Sequence, residues 1–175
     1  MAFAPAGNDF SLLRNHRMGQ FPQLNQEDID IVDAVLRDLL KKSEANIALL
    51  VEKAGYLIHQ CGNPEQIDTT TFATLGSNAY NAVQFMASLV NESNFTSMYQ
   101  QGESYSTLML NIDENSLLVI VFPTHLTVGS MKYYAAPAVR SVADRIDFAS
   151  KRAPVGLDLS DLDPKDVQTL FQRKQ

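Results

Sequence analysis

The stretch Ile67–Glu92, IDTTTFATLGSNAYNAVQFMASLVNE, decides how the rest of the chain is read. Asp68 is a good helix N-cap, because its carboxylate accepts from the unpaired N–H groups of a first turn. From Thr69 to Asn91 the predicted helix carries no charged residue, whereas an ordinary surface helix keeps Lys and Glu on its wet side. At about 100° per residue, Phe72, Leu75, Gly76, Ala79, Ala82, Val83, Met86, Leu89 and Val90 form a continuous apolar arc. Ala73, Tyr80 and Ala87 widen it to roughly half the circumference, beyond the ~100° stripe that docking on one core requires. Gly76, Ala79 and Ala82 are small enough to admit another backbone, and Gly76 costs about 1 kcal/mol against Ala in a helix interior. The remaining face holds Thr74, Ser77, Asn78, Asn81, Gln84 and Ser88, with Phe85 alone among them. The pattern predicts three contacts for this helix: its own sheet, a symmetry-related copy, and an external partner around Phe85. A buried central helix with one stray aromatic is the competing reading.

Working outward, residues 1–24 mix Pro, Gly, Asn and scattered apolars without a period, and are expected to be a flexible tail. Asn25 caps a first helix whose apolar stripe is Ile29, Val32, Leu36 and Leu39 or Leu40, with Asp28 in its acidic first turn. Two apolar runs, Ile47–Val51 and Tyr56–Cys61, flank the turn Lys53-Ala54-Gly55 and predict a hairpin. Beyond the uncharged helix, Phe95–Gly102 predicts a modest strand. SYSTLMLNID alternates strictly, Asp113-Glu114-Asn115 turns the chain, and SLLVIVFP is apolar on both sides, as a strand covered on both faces must be. A last helix is expected after Gly129 or Ser130, with Pro137 kinking it or delaying its start. The order helix, two strands, helix, three strands, helix predicts an α+β domain over residues 25–149: a five-stranded antiparallel sheet with helices on both faces. Residues 150–160 read as a linker. Residues 161–175 read as a short amphipathic helix, with Asp163 as N-cap, Pro164 at the first position, and Leu162, Val167, Leu170 and Phe171 along one edge.

Composition excludes several functions. A 175-residue chain is long enough for one domain with a real core. A net charge of −6 and a pI near 4.9 argue against nucleic acid or anionic membrane as a main partner. A single cysteine, Cys61, builds no intramolecular disulfide and favours a reducing compartment. No apolar run approaches a membrane span, and the N-terminal stretch lacks the continuous apolar segment of a signal peptide, so a cytoplasmic location is expected.

No catalytic constellation is legible. His59 and Cys61 share a strand face, but that spacing reads as packing with no third group in view. His16 and His125 are isolated, so no metal or cofactor is expected. VGSMK lacks the Gly-rich span of a phosphate loop. Arg140, Arg145 and Arg152 are available as arginine fingers, yet arginine on the last helix reads as ordinary surface.

In their order, LLVEKAGYLIHQCG, IDTTTFATL, LMLNIDENSLLVIVFP and LTVGSMKYY resemble the roadblock/dynein-light-chain fold. Within it the chain is most similar to MglB-type bacterial regulators of Ras-like small GTPases, whose C-terminal helix DLDPKDVQTLF also resembles. The resemblance implies a homodimer in which the middle helices pack side by side and the third strands join the two sheets. The dimer contacts would involve Phe72, Gly76, Ala79, Tyr80, Val83, Ala87, Phe95 and Met98. It further implies that the outward surface of the helix pair holds one GTPase of the MglA type, here through Asn78, Asn81, Gln84, Phe85 and Ser88. The tail residues Leu162, Val167, Leu170 and Phe171 would act on that GTPase or dock on their own domain. The large Phe85 departs from the small residues of MglB-type helices. The implied role is activation of GTP hydrolysis, with influence on nucleotide exchange, in a polarity or motility circuit, by a protein with no active site of its own. The alternative is a roadblock scaffold that assembles signalling or motor components without changing hydrolysis.

Overall fold

The computed structural model describes residues 21–63 and 67–152. The residues expected to form the tail through residue 20, and the C-terminal helix with Leu162, Val167, Leu170 and Phe171, lie outside them. The elements run α1 (Gln26–Ser43), β1 (Ile47–Glu52), β2 (Leu57–Gly62), α2 (Thr69–Leu89), β3 (Ser97–Gln101), β4 (Tyr105–Asn111), β5 (Ser116–Pro123) and α3 (Val128–Ser150). The five strands form one sheet in the order β2-β1-β5-β4-β3, with every neighbouring pair antiparallel.

Side-chain alternation along the central strands explains why they are apolar throughout. Leu49, Val51, Leu117, Val119 and Val121 point to one face, where they meet Ala73 and Tyr80 of α2. Ala48, Leu50, Leu118, Ile120 and Phe122 point to the other, against Val32, Leu36 and Leu39 of α1 and Met131, Ala135, Val142 and Ile146 of α3. Phe21, which the sequence pattern assigns to the tail, packs against this second layer.

Local chemistry fixes the ends of the elements. Asn25 and Asp28 form a reciprocal capping box on α1: Asn25 Oδ1 accepts from Asp28 N at 2.9 Å and Asp28 Oδ2 from Asn25 N at 2.8 Å. Asp113 Oδ1 accepts from Asn115 N, Ser116 N and Ser116 Oγ, each at 2.8 Å, and so holds the β4–β5 turn. Lys53 in the β1–β2 turn binds that second turn twice, its backbone N–H donating to Asn115 O and its Nζ to Asp113 O, both at 2.7 Å. Gly55 closes the β1–β2 turn at φ 103°, a conformation that glycine adopts without a Cβ clash. On α3 the cap is Thr127, and the helix runs unbroken through Pro137 from Val128, a start slightly earlier than expected. Pro137 lies on the exposed side of α3, where water can satisfy the carbonyl that its missing N–H leaves unpaired.

Candidate functional site

The α2 helix divides into faces, but not along the line its sequence suggests. Thr69, Ala73, Gly76, Ser77, Tyr80 and Ala87 are buried against the sheet. Ser77 belongs to the polar set by sequence and is nevertheless fully buried, because its hydroxyl donates to Ala73 O at 2.7 Å and to Glu52 O at 3.3 Å. Gly76 allows close approach: a Cβ there would stand 2.9 Å from Met109 Cε, the flexible end of a side chain that would have to move. Tyr80 spans the layer beneath the helix, its hydroxyl donating to Phe95 O at 2.6 Å, and burial pushes its pKa up to about 12.

Outward from this seat the surface is apolar. Leu75, Phe85, Met86, Leu89 and Val90 are between 57% and 71% exposed, on a helix without a charge to keep it wet. That is more than scattered surface apolars. Phe72, Ala79 and Val83 lie between this row and the core, partly buried against the sheet.

The residues expected at a dimer seam therefore separate. Gly76, Tyr80, Ala87 and Met98 are buried in the protomer's own core, while Phe72, Ala79, Val83 and Phe95 keep part of their surface. Of the large apolar groups left uncovered on α2, Leu75, Met86, Leu89 and Val90 belong to the apolar arc and Phe85 lies outside it.

The residues expected to face a GTPase separate too. Phe85, Asn78 and Ser88 point outward. Gln84 is turned to its own chain, its Nε2 donating to Phe95 O at 2.6 Å and its Oε1 accepting from Phe95 N at 2.9 Å. Asn81 is exposed, but its Nδ2 donates to Lys53 O at 3.0 Å and so ties α2 to the β1–β2 turn. Thr74 reinforces that tie by donating to Gly55 O at 3.0 Å. Lys53 Nζ stands 5.9 Å from the Tyr80 ring centroid, and burial lowers its pKa.

The described arginines lie away from this helix. Arg145 Nε stands 2.6 Å from Asp28 Oδ1, and Arg152 clasps the same carboxylate with two hydrogen bonds of 2.9 Å. Asp28 is fully buried. The Arg152 hydrogen bonds, aided by Asn25 and Arg145, overcome burial and hold its pKa down at about 2. Arg145, expected to be ordinary surface, is thus committed to the α1–α3 contact, and Arg140 and Arg37 stand on the same two helices, across the sheet from α2.

His59 and Cys61 do share a face of β2, and α1 supplies the third group that sequence spacing left out of view. Asp33 Oδ1 lies 2.9 Å from His59 Nε2 and 3.2 Å from Cys61 Sγ.

Comparison with known proteins fixes the lineage. A family model described as the Roadblock/LC7 domain matches residues 31–122, more than half of the chain. The chain belongs to the Roadblock/LC7 domain family. Solved structures agree with this Roadblock/LC7 fold. An MglB with a tetrameric arrangement is 26% identical with a TM-score of 0.69, over 73% of this chain and 96% of that one. Myxococcus xanthus MglB is 25% identical with a TM-score of 0.69, over 75% and 98%. The gliding protein MglB from Thermus thermophilus is 25% identical with a TM-score of 0.68, over 73% and 96%. No curated protein matches the chain by sequence. Among the described residues no helix is long and apolar enough to cross a membrane.

Proposed function

We propose that this Roadblock/LC7 protein is a homodimeric, cytoplasmic regulator of a bacterial Ras-like small GTPase. It accelerates GTP hydrolysis by binding, in a polarity or motility circuit. The observation that carries the reading is the exposed apolar row of α2, Leu75, Phe85, Met86, Leu89 and Val90, on a charge-free helix. Burying one such side chain is worth about 1.5–3 kcal/mol, so covering this row yields several times the free energy of an ordinary surface contact. Leu75, Met86, Leu89 and Val90, with Phe72, Ala79 and Val83 beside them, would meet the same row of a second copy. The outer edge of β3, which no described strand pairs, would extend the sheet into the partner by strand addition.

Phe85, Asn78 and Ser88 from both copies would then form one neutral platform for the GTPase. Arg145 and Arg152 are engaged by Asp28 on the far side of the sheet, so the described residues supply no arginine finger from the α2 face. That favours a mode in which the regulator binds the GTPase best in its reactive arrangement and shifts its population toward hydrolysis. The experiment is single-turnover GTP hydrolysis by the MglA-type GTPase of the same organism, with and without saturating regulator. Acceleration supports the activator. Binding that ignores the nucleotide state, without acceleration, replaces it with the scaffold reading.

A further inference from the structure

Asp33, His59 and Cys61 come from two elements that only the folded chain brings together. Asp33 lies on α1, and His59 and Cys61 lie two residues apart on the edge strand β2. One ligand atom from each, Asp33 Oδ1, His59 Nε2 and Cys61 Sγ, lies within 4.8 Å of the others. The three separations are 2.9 Å between oxygen and nitrogen, 3.2 Å between oxygen and sulfur, and 3.6 Å between nitrogen and sulfur.

Zinc bonds of about 2.3 Å to sulfur and about 2.0–2.2 Å to nitrogen or oxygen, at tetrahedral angles, require edges of roughly 3.3–3.6 Å between ligand atoms. The trio already forms a triangle of nearly that size, and opening it by a few tenths of an ångström on the Asp33 side admits the ion. We propose that Asp33, His59 and Cys61 form a binding site for a zinc-class divalent cation, which clips α1 to the edge strand β2.

The donor set is one carboxylate, one imidazole and one thiol, the mixture that a borderline-soft ion prefers over magnesium or calcium. The surroundings suit it. Cys61 is buried in the layer beneath α1 and α3, while the side chains of His59 and Asp33 keep 20% and 28% of their surface. The ion therefore has an entry path from solvent, the source of a fourth ligand. Arg37 Nε donates to Asp33 Oδ2 and leaves Oδ1 turned to the trio, the kind of outer support that orients a metal ligand.

Without the ion the same atoms satisfy one another, with His59 and Cys61 both turned to Asp33 Oδ1. Burial first, and then Asp33, push the Cys61 thiol up to about 12, so it is protonated at neutral pH. Coordination replaces that proton, which leaves to solvent, as it does whenever a thiol becomes a metal ligand.

The test is cobalt(II) titration of the untagged full-length chain, followed by absorbance, with zinc competition against a chromophoric chelator. The expected result is a near-ultraviolet thiolate-to-cobalt charge-transfer band that saturates at one ion per chain and is displaced by zinc. Cys61→Ser should abolish the band. His59→Gln should do the same and weaken zinc binding by more than the roughly 10–100-fold that losing a supporting partner costs. Zinc should also raise the unfolding temperature of the wild-type chain and not of the variants, because the unfolded chain has no site. The wild-type measurement stands even if a variant fails to fold. Absence of the band at several equivalents of cobalt overturns the proposal, and so does a band that survives His59→Gln.

Discussion

Arg152, just past the end of α3, holds Asp28 in the first turn of α1 through two parallel hydrogen bonds of 2.9 Å. The residues are 124 positions apart, and the carboxylate is fully buried. Together with Arg145, this contact ties the first helix to the last on the sheet face opposite α2. Asp28→Ala leaves Arg152 without its carboxylate and Arg145 with only the exposed Glu27, and removes half of the α1 capping box, with an expected cost of about 3–5 kcal/mol, read from urea unfolding midpoints.

The same carboxylate gives the contact a pH signature. The folded-state pKa of Asp28 is about 2 against an ordinary 3.8. Its contribution is therefore fully present above the ordinary value and is lost as pH falls from there through the folded-state value. Comparing wild-type with Asp28→Asn at a series of pH values isolates it. The wild-type margin should shrink across that acid window and stay constant between about pH 5 and 7.

Gln84 is predicted to act on its own fold. Both of its amide atoms bind the backbone of Phe95, and Tyr80 shares the Phe95 carbonyl. Gln84→Ala leaves the Phe95 N–H without its acceptor, at about 1–3 kcal/mol, and loosens the approach to β3. Hydrogen exchange at the Phe95 amide should accelerate in this variant.

Gly76→Leu forces a side chain into the space held by Met109, whose Cε would lie 2.9 Å from the new Cβ. Overpacking of this kind costs about 1–3 kcal/mol. Thermal unfolding should report the loss in the isolated protein, whether or not a second copy is bound.

Element types and layers were readable because hydrophobic period carries them: β1 and β5 are apolar on both faces, and α1 and α3 each have one stripe. The orientation of α2 was not, since its apolar arc is wider than one core contact needs and does not say which part of it is buried. Ser77 is buried and Leu75 exposed because a serine hydroxyl can be satisfied by helix and turn carbonyls, which a hydropathy pattern does not register. Gln84, Asn81 and Asn78 are interchangeable polar letters in sequence, and only the fold reveals that the first two bind Phe95 and Lys53. Asp28 with Arg152, and Asp33 with His59 and Cys61, depend on contacts between distant segments that no local spacing encodes. In each case the missing signal was a tertiary partner.

Phe85→Glu separates partner binding from folding. Phe85 is 69% exposed, so the change should move stability by no more than about 0.5 kcal/mol and leave the dimer intact. Binding of the GTP-loaded GTPase, measured by calorimetry, should be lost, because a carboxylate would be desolvated in a neutral contact. A variant that binds normally would remove Phe85 from the platform.

Sedimentation equilibrium of the wild-type chain at micromolar concentration tests the central claim most directly, that the uncovered apolar row of α2 is made for a second copy. The account predicts a mass twice the 19.4 kDa of one chain, falling toward that of a single chain when Leu75 and Met86 are both replaced by Glu. A wild-type chain that sediments at 19.4 kDa would contradict it.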